Sequence, residues 1–277
     1  MSHSVRINVT LATKAISIYG AMTKSTLDKR HPTVVLIHGV LHDHSVWDAV
    51  LWPLAQGMTA GVNVLAIDLP GHGNSTGEAP ETVESAADTV LTMMDALGLE
   101  RVALCGHSFG SLIALETAAR APSRVSHVAL LGTASPMRVS PVLLEASLND
   151  PMAAIDMVNH FSFSQKPAPP PLMMQQVFTN SQNKSTRDST KNIFHTGLNA
   201  CNSYQNATSA ITKVTAPILF IVGDKDKMTP PKAAQVLIDT AMQAGKTVTH
   251  ARLDTGHAMQ QEAPLKIVQV LQEFLQQ

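Results

Sequence analysis

Short apolar runs alternate with amphipathic segments along most of this chain. Near the N-terminus, apolar side chains alternate with polar ones at Val5, Ile7, Val9 and Leu11, and Ile16 and Ile18 follow after a short gap. This period of two predicts an antiparallel hairpin with one exposed face at the edge of a sheet. Later runs are apolar throughout, which is typical of strands covered on both faces in a parallel sheet. They lie at residues 34–37, 62–67, 102–105, 128–131 and 218–222.

Segments with helical spacing separate these runs. After Pro80, apolar residues between Val83 and Leu97 mark one face of a helix, with Thr82 placed to cap its start and Gly98 placed to end it. Residues 108–121, 230–244 and 265–275 show helical patterns as well. The alternation of strands and helices predicts an α/β fold with a mostly parallel, doubly wound sheet.

One long segment breaks the alternation. Residues 135–213 contain no strand-like run, and they include the proline-rich stretch PAPPP at 167–171. A bare loop of this length is uncommon inside a compact domain, and the Met, Leu and Phe content argues against disorder. We therefore predict a helical cap at residues 135–213, inserted after the sixth strand of a core domain formed by residues 1–134 and 214–277.

Composition adds bounds on the class of protein. The chain has 277 residues, 44% of them hydrophobic, which is enough to bury one large core. Its net charge of −1 favours neither nucleic acid nor an acidic membrane surface as a partner. The start of the chain lacks the pattern of a signal peptide, and no apolar run reaches the about 20 residues of a membrane span. We expect a cytoplasmic protein. Cys105 is expected to be a buried reduced thiol, and the alternative of a disulfide between Cys105 and Cys201 is not decided by the sequence.

The strongest chemical signal is Gly106-His107-Ser108-Phe109-Gly110. It fits the G-x-S-x-G nucleophile elbow, in which a serine lies on a sharp turn between a strand and a helix. Glycines flank such a turn because larger side chains would clash there. A serine hydroxyl is a weak nucleophile at neutral pH and needs a histidine base that an acid orients. The sequence therefore predicts a serine hydrolase with Ser108 as its nucleophile.

The base and the acid are expected on loops after later strands. His257 follows the predicted strand 248–253, whereas His250 falls within that strand and is interpreted as structural. Asp224 and Asp226 both follow the strand at 218–222. At Asp226 the chain has cleared the strand, so its carboxylate can turn toward the histidine, and Asp224 is expected to cap the turn. We favour His257 and Asp226.

Other site residues follow from the neighbouring loops. The backbone N–H groups of Val40 and Phe109 are predicted to form an oxyanion hole. Leu41 and Met259 flank the site in sequence and are expected to line an apolar substrate pocket. The cluster His42-Asp43-His44 shows no third and fourth ligand, so we predict a polar loop there and no metal site. The chemistry needs no cofactor.

Five motifs occur together in this order along the chain. They are His38-Gly39, the stretch DLPGHGNS at 68–75, GHSFG at 106–110, G-x-x-D-x-x-x-P at 223–230, and Gly256-His257 followed by Glu262 and Pro264. The combination resembles the α/β-hydrolase superfamily, in the branch of small bacterial esterases, haloperoxidase-like perhydrolases and C–C hydrolases. The resemblance covers nearly the whole chain outside the cap and implies a triad of Ser108, Asp226 and His257. Members with an aspartate nucleophile are disfavoured because this elbow carries Ser108.

The substrate is less well indicated than the reaction. The apolar cap favours a small carboxylic ester or lactone as a small-molecule substrate, with no nucleic acid or membrane partner. A C–C hydrolase of aromatic ring-cleavage products ranks second, because the loop HGVLHDH at 38–44 lacks the Gly-Pro-Gly stretch of those enzymes. Perhydrolase activity would use the same residues. A weakly catalytic ligand-binding protein of the same fold is the alternative from another class.

Overall fold

The computed structural model describes residues 2–11, 14–58, 60–183 and 191–277. An eight-stranded sheet has the strand order β1-β2-β4-β3-β5-β6-β7-β8. Its strands are β1 (His3–Leu11), β2 (Lys14–Met22), β3 (Thr33–Ile37), β4 (Asn63–Ile67), β5 (Val102–His107), β6 (Val125–Leu131), β7 (Ile218–Gly223) and β8 (Val248–Leu253). β2 pairs antiparallel with β1 and with β4, and the remaining neighbours pair in parallel. The mostly parallel sheet with an antiparallel hairpin at one edge is confirmed.

Burial explains why the two kinds of strand have different patterns. Every residue of β3, β4, β5 and β7 is buried, so these strands are apolar on both faces. β1 instead alternates, with Ile7 and Val9 buried between exposed neighbours. β6 begins three positions before the predicted run, because Ser126 and His127 interrupt its apolar pattern. The residues that join β1 to β2, 12 and 13, lie outside the described part of the chain.

Helices cover both faces of the sheet. They are α1 (Asp48–Gln56), α2 (Val83–Ala96), α3 (Phe109–Arg120), α4 (Pro141–Asn149), α5 (Pro151–Ser162), α6 (Leu172–Ser181), α7 (Ile193–Ser203), α8 (Ala207–Lys213), α9 (Pro231–Gln243), α10 (Met259–Glu262) and α11 (Pro264–Leu275). One buried cluster joins the sheet to α2, α3, α8 and α9, and another joins its opposite face to α1 and α11. The start of α2 is capped as predicted, since the Ser85 N–H donates to Thr82 Oγ1 at 3.0 Å. Gly98, with φ of 62°, follows its end.

The segment between β6 and β7 is helical wherever regular elements are described. Helices α4 to α7 enclose a third buried cluster that includes Leu143, Ile155, Val177 and Phe194. α8 differs, because it packs against α3 and α9 and its Ile211 belongs to the core cluster. The cap boundaries at 135 and 213 stay a prediction. Within the described ranges, no helix has both the length and the hydropathy that crossing a membrane requires.

Candidate active site

Ser108 lies at the turn between β5 and α3. Its φ is 54° and its ψ is −119°, a conformation that side chains with a Cβ rarely adopt. The turn is held by two backbone hydrogen bonds: the Ser108 N–H donates to the Leu131 carbonyl oxygen at 2.9 Å, and its own carbonyl accepts from the Ser111 N–H at 2.9 Å. A strained serine held from both sides keeps its side chain in one place, at the wall of a cavity.

The glycines around Ser108 have a steric role. A Cβ built on Gly106 would overlap the backbone carbonyl of Gly110. A Cβ on Gly110 would in turn overlap the carbonyl oxygen of Ile37. Neither clash can be relieved by moving a flexible side chain, since the atoms that would be hit are backbone. Packing of the β5–α3 turn against β3 therefore requires the G-x-S-x-G spacing.

His257 and Asp226 form a buried pair. His257 Nδ1 lies 2.8 Å from Asp226 Oδ2, and the two residues are only 7% and 4% exposed. The other carboxylate oxygen, Oδ1, accepts the backbone N–H groups of Met228 and Thr229, each at 2.8 Å. The Thr229 hydroxyl donates to Oδ2 at 2.8 Å and lies 3.0 Å from His257 Nδ1. The loop after β7 thus surrounds the carboxylate with donors.

These contacts decide the charge of Asp226. Burial alone raises the pKa of this carboxyl, but the attraction of His257 and the hydrogen bonds from His257 and Thr229 outweigh burial, and the net pKa lies below its ordinary value of 3.8. An ionised carboxylate accepts the proton on Nδ1 and so favours the tautomer in which Nε2 is free of a proton. His257 also lines the cavity that Ser108 lines. The arrangement can accept a proton there and stabilise the resulting imidazolium.

The rival candidates are placed elsewhere. Asp224 Oδ1 accepts from Arg252 Nε at 2.7 Å in an exposed ion pair, so it pairs with a side chain rather than capping the turn. His250 lies in β8, is exposed, and sits in register with Phe220. The structure therefore brings Asp226, and not Asp224, to His257.

The loop after β3 approaches Ser108 closely. A Cβ on Gly39 would lie 3.2 Å from Ser108 Cβ, and Val40 lines the same cavity as Ser108. The His42 Nδ1–H donates to the Val40 carbonyl oxygen at 2.8 Å and braces the loop. Phe109 is the first residue of α3, where N–H groups have no carbonyl acceptor within the helix. Val40 thus lines the same cavity as Ser108, and Phe109 directly follows Ser108.

Two further histidines brace this region. The His38 Nδ1–H donates to the Gly39 carbonyl oxygen at 2.8 Å, and His38 Nε2 accepts the Leu69 N–H at 3.0 Å. The His107 Nε2–H donates to the backbone oxygen of His257 at 2.9 Å. Burial lowers the pKa of both rings well below 6.5, so both are neutral in the folded chain. Their role is to hold the loops of the site in position.

The loop at 42–44 contributes to a small polar cluster. Ligand-type atoms of Asp43, His44 and Asp68 lie within 4.8 Å of one another. They already have partners, because Asp68 Oδ1 accepts from His44 Nδ1 at 2.7 Å and Asp43 Oδ1 accepts the Ser45 N–H at 2.9 Å. That no metal binds here stays a prediction. Cys105 and Cys201 are both free and buried, and Cys201 lines the cavity beside Ser108.

That cavity has a volume of about 380 Å³ and lies between the strand ends and the cap helices. Its core side includes Gly39, Val40, Ser108, Thr229 and His257. Its cap side is mostly apolar and includes Met137, Val139, Leu143, Met157, Val158, Phe161, Phe194 and Leu198. These cap residues come from separate elements and share no local motif, so sequence reasoning did not find them. Thr229 was also missed, although it lies on the same loop as Asp226.

Leu41 and Met259 do not line this cavity. Leu41, with φ of 56°, is fully buried in the cap cluster beside residues such as Ile155 and Phe194. Met259 opens α10 and is fully buried in the cluster of α1 and α11. Both side chains pack into buried clusters instead. The prediction relied on closeness in sequence to a site residue, which does not fix the direction of the next side chain. The structure therefore replaces these two residues with the cap side chains as the apolar walls.

Comparison with curated proteins gives partial matches. The chain is 42% identical over 100 residues to the dihydrolipoyllysine-residue acetyltransferase component of the acetoin cleaving system of Cupriavidus necator, covering 36% of this chain and 26% of that protein. It is 35% identical over 102 residues to the pimeloyl–acyl-carrier protein methyl ester esterase of Aromatoleum aromaticum, covering 37% of each. The chain thus matches well under half the length of either relative.

Comparison of folds extends over nearly the whole chain. The enol-lactonase of Burkholderia xenovorans superimposes with a TM-score of 0.76 at 22% identity, covering 95% of this chain and 97% of that one. A family model described as the alpha/beta hydrolase fold matches residues 32–264. This range includes the elbow at Ser108, the loop of Asp226 and the loop of His257. The chain therefore belongs to the α/β-hydrolase fold family.

Proposed function

We propose that the protein is a serine hydrolase that cleaves a small, largely apolar carboxylic ester or lactone through an acyl-enzyme. The observation that carries the proposal is the buried contact of 2.8 Å between His257 Nδ1 and Asp226 Oδ2, beside a cavity that Ser108 also lines. A nucleophile, a base and an orienting acid are the three groups that acyl transfer by serine requires.

The reaction proceeds in two halves. His257 Nε2 takes the hydroxyl proton as Ser108 Oγ attacks the ester carbonyl, and Asp226 stabilises the imidazolium that forms. The N–H groups of Val40 and Phe109 donate to the oxyanion of the tetrahedral intermediate. His257 then gives the proton to the leaving alcohol, and an acyl-enzyme remains. In the second half, a water activated by His257 attacks the acyl carbon and releases the acid.

The cavity supports a small apolar acyl or alcohol group. Its volume of about 380 Å³ suits a compact ligand, and its cap side is built mainly from Met, Leu, Val and Phe side chains. One of the relatives described above is by name a methyl ester esterase, which agrees with ester cleavage.

A panel of short p-nitrophenyl esters tests the proposal. The wild-type protein is expected to release p-nitrophenol, and Ser108→Ala is expected to lower kcat by about 10⁴-fold or more, because the nucleophile is lost. Fluorophosphonate is expected to label the wild type but not Ser108→Ala. Ser209→Ala, on the exposed surface of α8, is the matched control and is expected to label and turn over like the wild type.

The failures of this experiment are informative. Labelling of Ser108 without hydrolysis of any ester would favour the C–C hydrolase or the weakly catalytic binding protein over an esterase. An absence of labelling at Ser108 would overturn the proposal.

A further inference from the structure

The charged side chains that line the cavity beside Ser108 are cationic. Among the described residues that line it, Arg138 and Lys227 are cationic and no residue carries a carboxylate. The whole chain is nearly balanced, with 20 Lys and Arg against 21 Asp and Glu. The cationic bias is therefore a local property of the cavity wall and does not follow from composition.

Neighbouring charges are already paired. On the same loop as Lys227, Lys225 Nζ lies 2.8 Å from Asp254 Oδ1, and Asp224 pairs with Arg252. In the part of the chain that the structure describes, Arg138 and Lys227 take part in no ion pair and no side-chain hydrogen bond. Both are exposed. Neither cation therefore has an ion-pair partner among the described residues, and the carboxylate of Asp226, next to Lys227 in sequence, is buried and pairs with His257 instead.

The two cations lie on loops that follow the neighbouring strands β6 and β7. Arg138 lies between β6 and α4, on the cap side, and Lys227 directly follows Asp226 on the core side. Met137, Val139 and Met228 are their sequence neighbours and line the same cavity, so the cations border an apolar wall. A charge beside apolar surface is less screened than one in open water, which strengthens its attraction for an anion.

The start of α4 adds to this field. Ser140 lines the cavity and caps α4, with its side chain accepting the Leu143 N–H at 3.2 Å. A helix start carries a partial positive charge, so α4 acts in the same direction as Arg138 two residues earlier.

We propose that Arg138 and Lys227 bind a carboxylate carried by the substrate at a distance from the scissile bond. The substrate class is then an ester of a dicarboxylic acid, or a lactone bearing a free carboxylate, with an apolar chain between the two groups. This inference rests on the proposed function, because it names the substrate of the same site. Charge-assisted hydrogen bonds hold the remote carboxylate while the ester carbonyl faces Ser108.

Two substrates of equal chain length test the proposal. Mono-p-nitrophenyl adipate and p-nitrophenyl hexanoate differ only in the terminal carboxylate. At low ionic strength the wild type is expected to favour the adipate by about tenfold in kcat/KM, mostly through KM, and added salt is expected to reduce this preference. The double variant Arg138→Gln, Lys227→Gln is expected to lower the adipate-to-hexanoate ratio by about tenfold.

Two controls separate charge from structure. Arg138→Lys with Lys227→Arg keeps both charges and is expected to retain the preference. Lys232→Gln removes an exposed cation of α9 that does not line the cavity, and is expected to leave the ratio as in the wild type. A wild type that favours hexanoate, or a ratio unchanged in the double Gln variant, would overturn the proposal.

A binding measurement keeps this test apart from the test of esterase activity. Calorimetry on Ser108→Ala compares monomethyl adipate with methyl hexanoate without any turnover. If no ester is hydrolysed but monomethyl adipate binds more tightly in a manner that needs Arg138 and Lys227, the carboxylate subsite stands and the esterase proposal fails. If esters are hydrolysed and neither assay shows a preference for the carboxylate, the esterase proposal stands and the subsite fails.

Discussion

The cavity separates two regions of the molecule that differ in how they are built. On the core side, Ser108 and Asp226 follow β5 and β7, whose residues are all buried, and His257 follows the edge strand β8. On the cap side, helices α4 to α7 enclose a smaller buried cluster and also leave large apolar side chains such as Val142 and Leu172 exposed. The core therefore holds the polar groups of the site in position by hydrogen bonds, whereas the cap determines the shape of the cavity.

This difference assigns reaction and specificity to separate regions. Hydrogen bonds from fixed backbone groups hold Asp226 and Ser108, so their geometry depends on the sheet. The cap contacts the cavity mainly through apolar side chains, together with Arg138, Ser140 and Ser162. These side chains can change size without disturbing the sheet. Substitutions on the two sides are therefore expected to affect different measurements.

The largest expected effect is on the core side, at Asp226. Asp226→Asn keeps the size of the side chain, but the amide can donate a hydrogen bond to His257 Nδ1 and stabilise the tautomer that cannot act as base. We expect kcat for a p-nitrophenyl ester to fall by about 10³- to 10⁴-fold with little change in the circular dichroism spectrum. Asp224→Asn removes only an exposed ion pair and is expected to change kcat by less than about twofold. Equal losses in the two variants would contradict the assignment of the acid.

Substitution of one glycine in each region compares how strongly the core and the cap contribute to the free energy of unfolding. Gly110→Ala places a Cβ against the carbonyl of Ile37, so backbone must move, and we expect the free energy of unfolding to fall by about 3 kcal/mol or more. Gly197→Ala, in α7 of the cap, brings a Cβ only to 3.1 Å from Val40 Cγ1, and alanine favours a helix interior. Its expected change is within about 1 kcal/mol, as measured by urea unfolding. A larger loss for Gly197→Ala would show that the cap packs as tightly as the core.

Substitutions in the cap are expected to alter substrate choice. Leu143 belongs to the buried cap cluster and also lines the cavity, whereas Val177 belongs to the cluster alone. Leu143→Ala is expected to raise the kcat/KM ratio of p-nitrophenyl octanoate to butanoate by about five- to tenfold, because the pocket gains room for the longer chain. Val177→Ala removes cap packing without enlarging the cavity, and it is expected to keep the wild-type ratio. A shift in both variants would attribute the effect to a looser cap.

The same division explains what could be predicted from the sequence. Local patterns indicate the features that depend on residues close together in the chain. These are the elbow at Ser108, the N-terminal capping of α2 by Thr82, and the strands that are buried on both faces. The position of Asp226, rather than Asp224, beside His257 could also be predicted, because distance from the strand end sets which carboxylate can turn. The walls formed by Met157 and Phe194 depend on how separate helices pack, which no local pattern encodes. Leu41 was assigned to the pocket because it follows Val40, but its backbone directs it into the cap cluster instead.

The smallest expected effect concerns pH and the neutral histidines of the core. His38 and His107 are buried, and burial lowers the pKa of each well below 6.5, whereas in the unfolded chain each takes up a proton near pH 6.5. Below that pH the unfolded state binds more protons than the folded state, so the free energy of unfolding falls as pH falls, by at most about 1.4 kcal/mol per pH unit for each ring. His44 acts in the opposite direction. Burial lowers its pKa, but its hydrogen bond with Asp68 outweighs burial and the net pKa is raised, so its contribution is present at low pH and is lost as pH rises above 6.5.

Urea unfolding at a series of pH values between about 5 and 8 measures the balance. Burial also lowers the pKa of His42 and of His127, so four rings oppose His44 and we expect the wild type to lose stability as pH falls below 6.5. His107→Gln retains an amide donor for the His257 carbonyl and removes one titrating ring, so its slope is expected to be smaller by up to about one proton. If the wild type instead gained stability as pH fell, the pair of His44 and Asp68 would outweigh the four histidines with a lowered pKa. The pH response would then come from that pair rather than from the residues that brace Ser108 and His257.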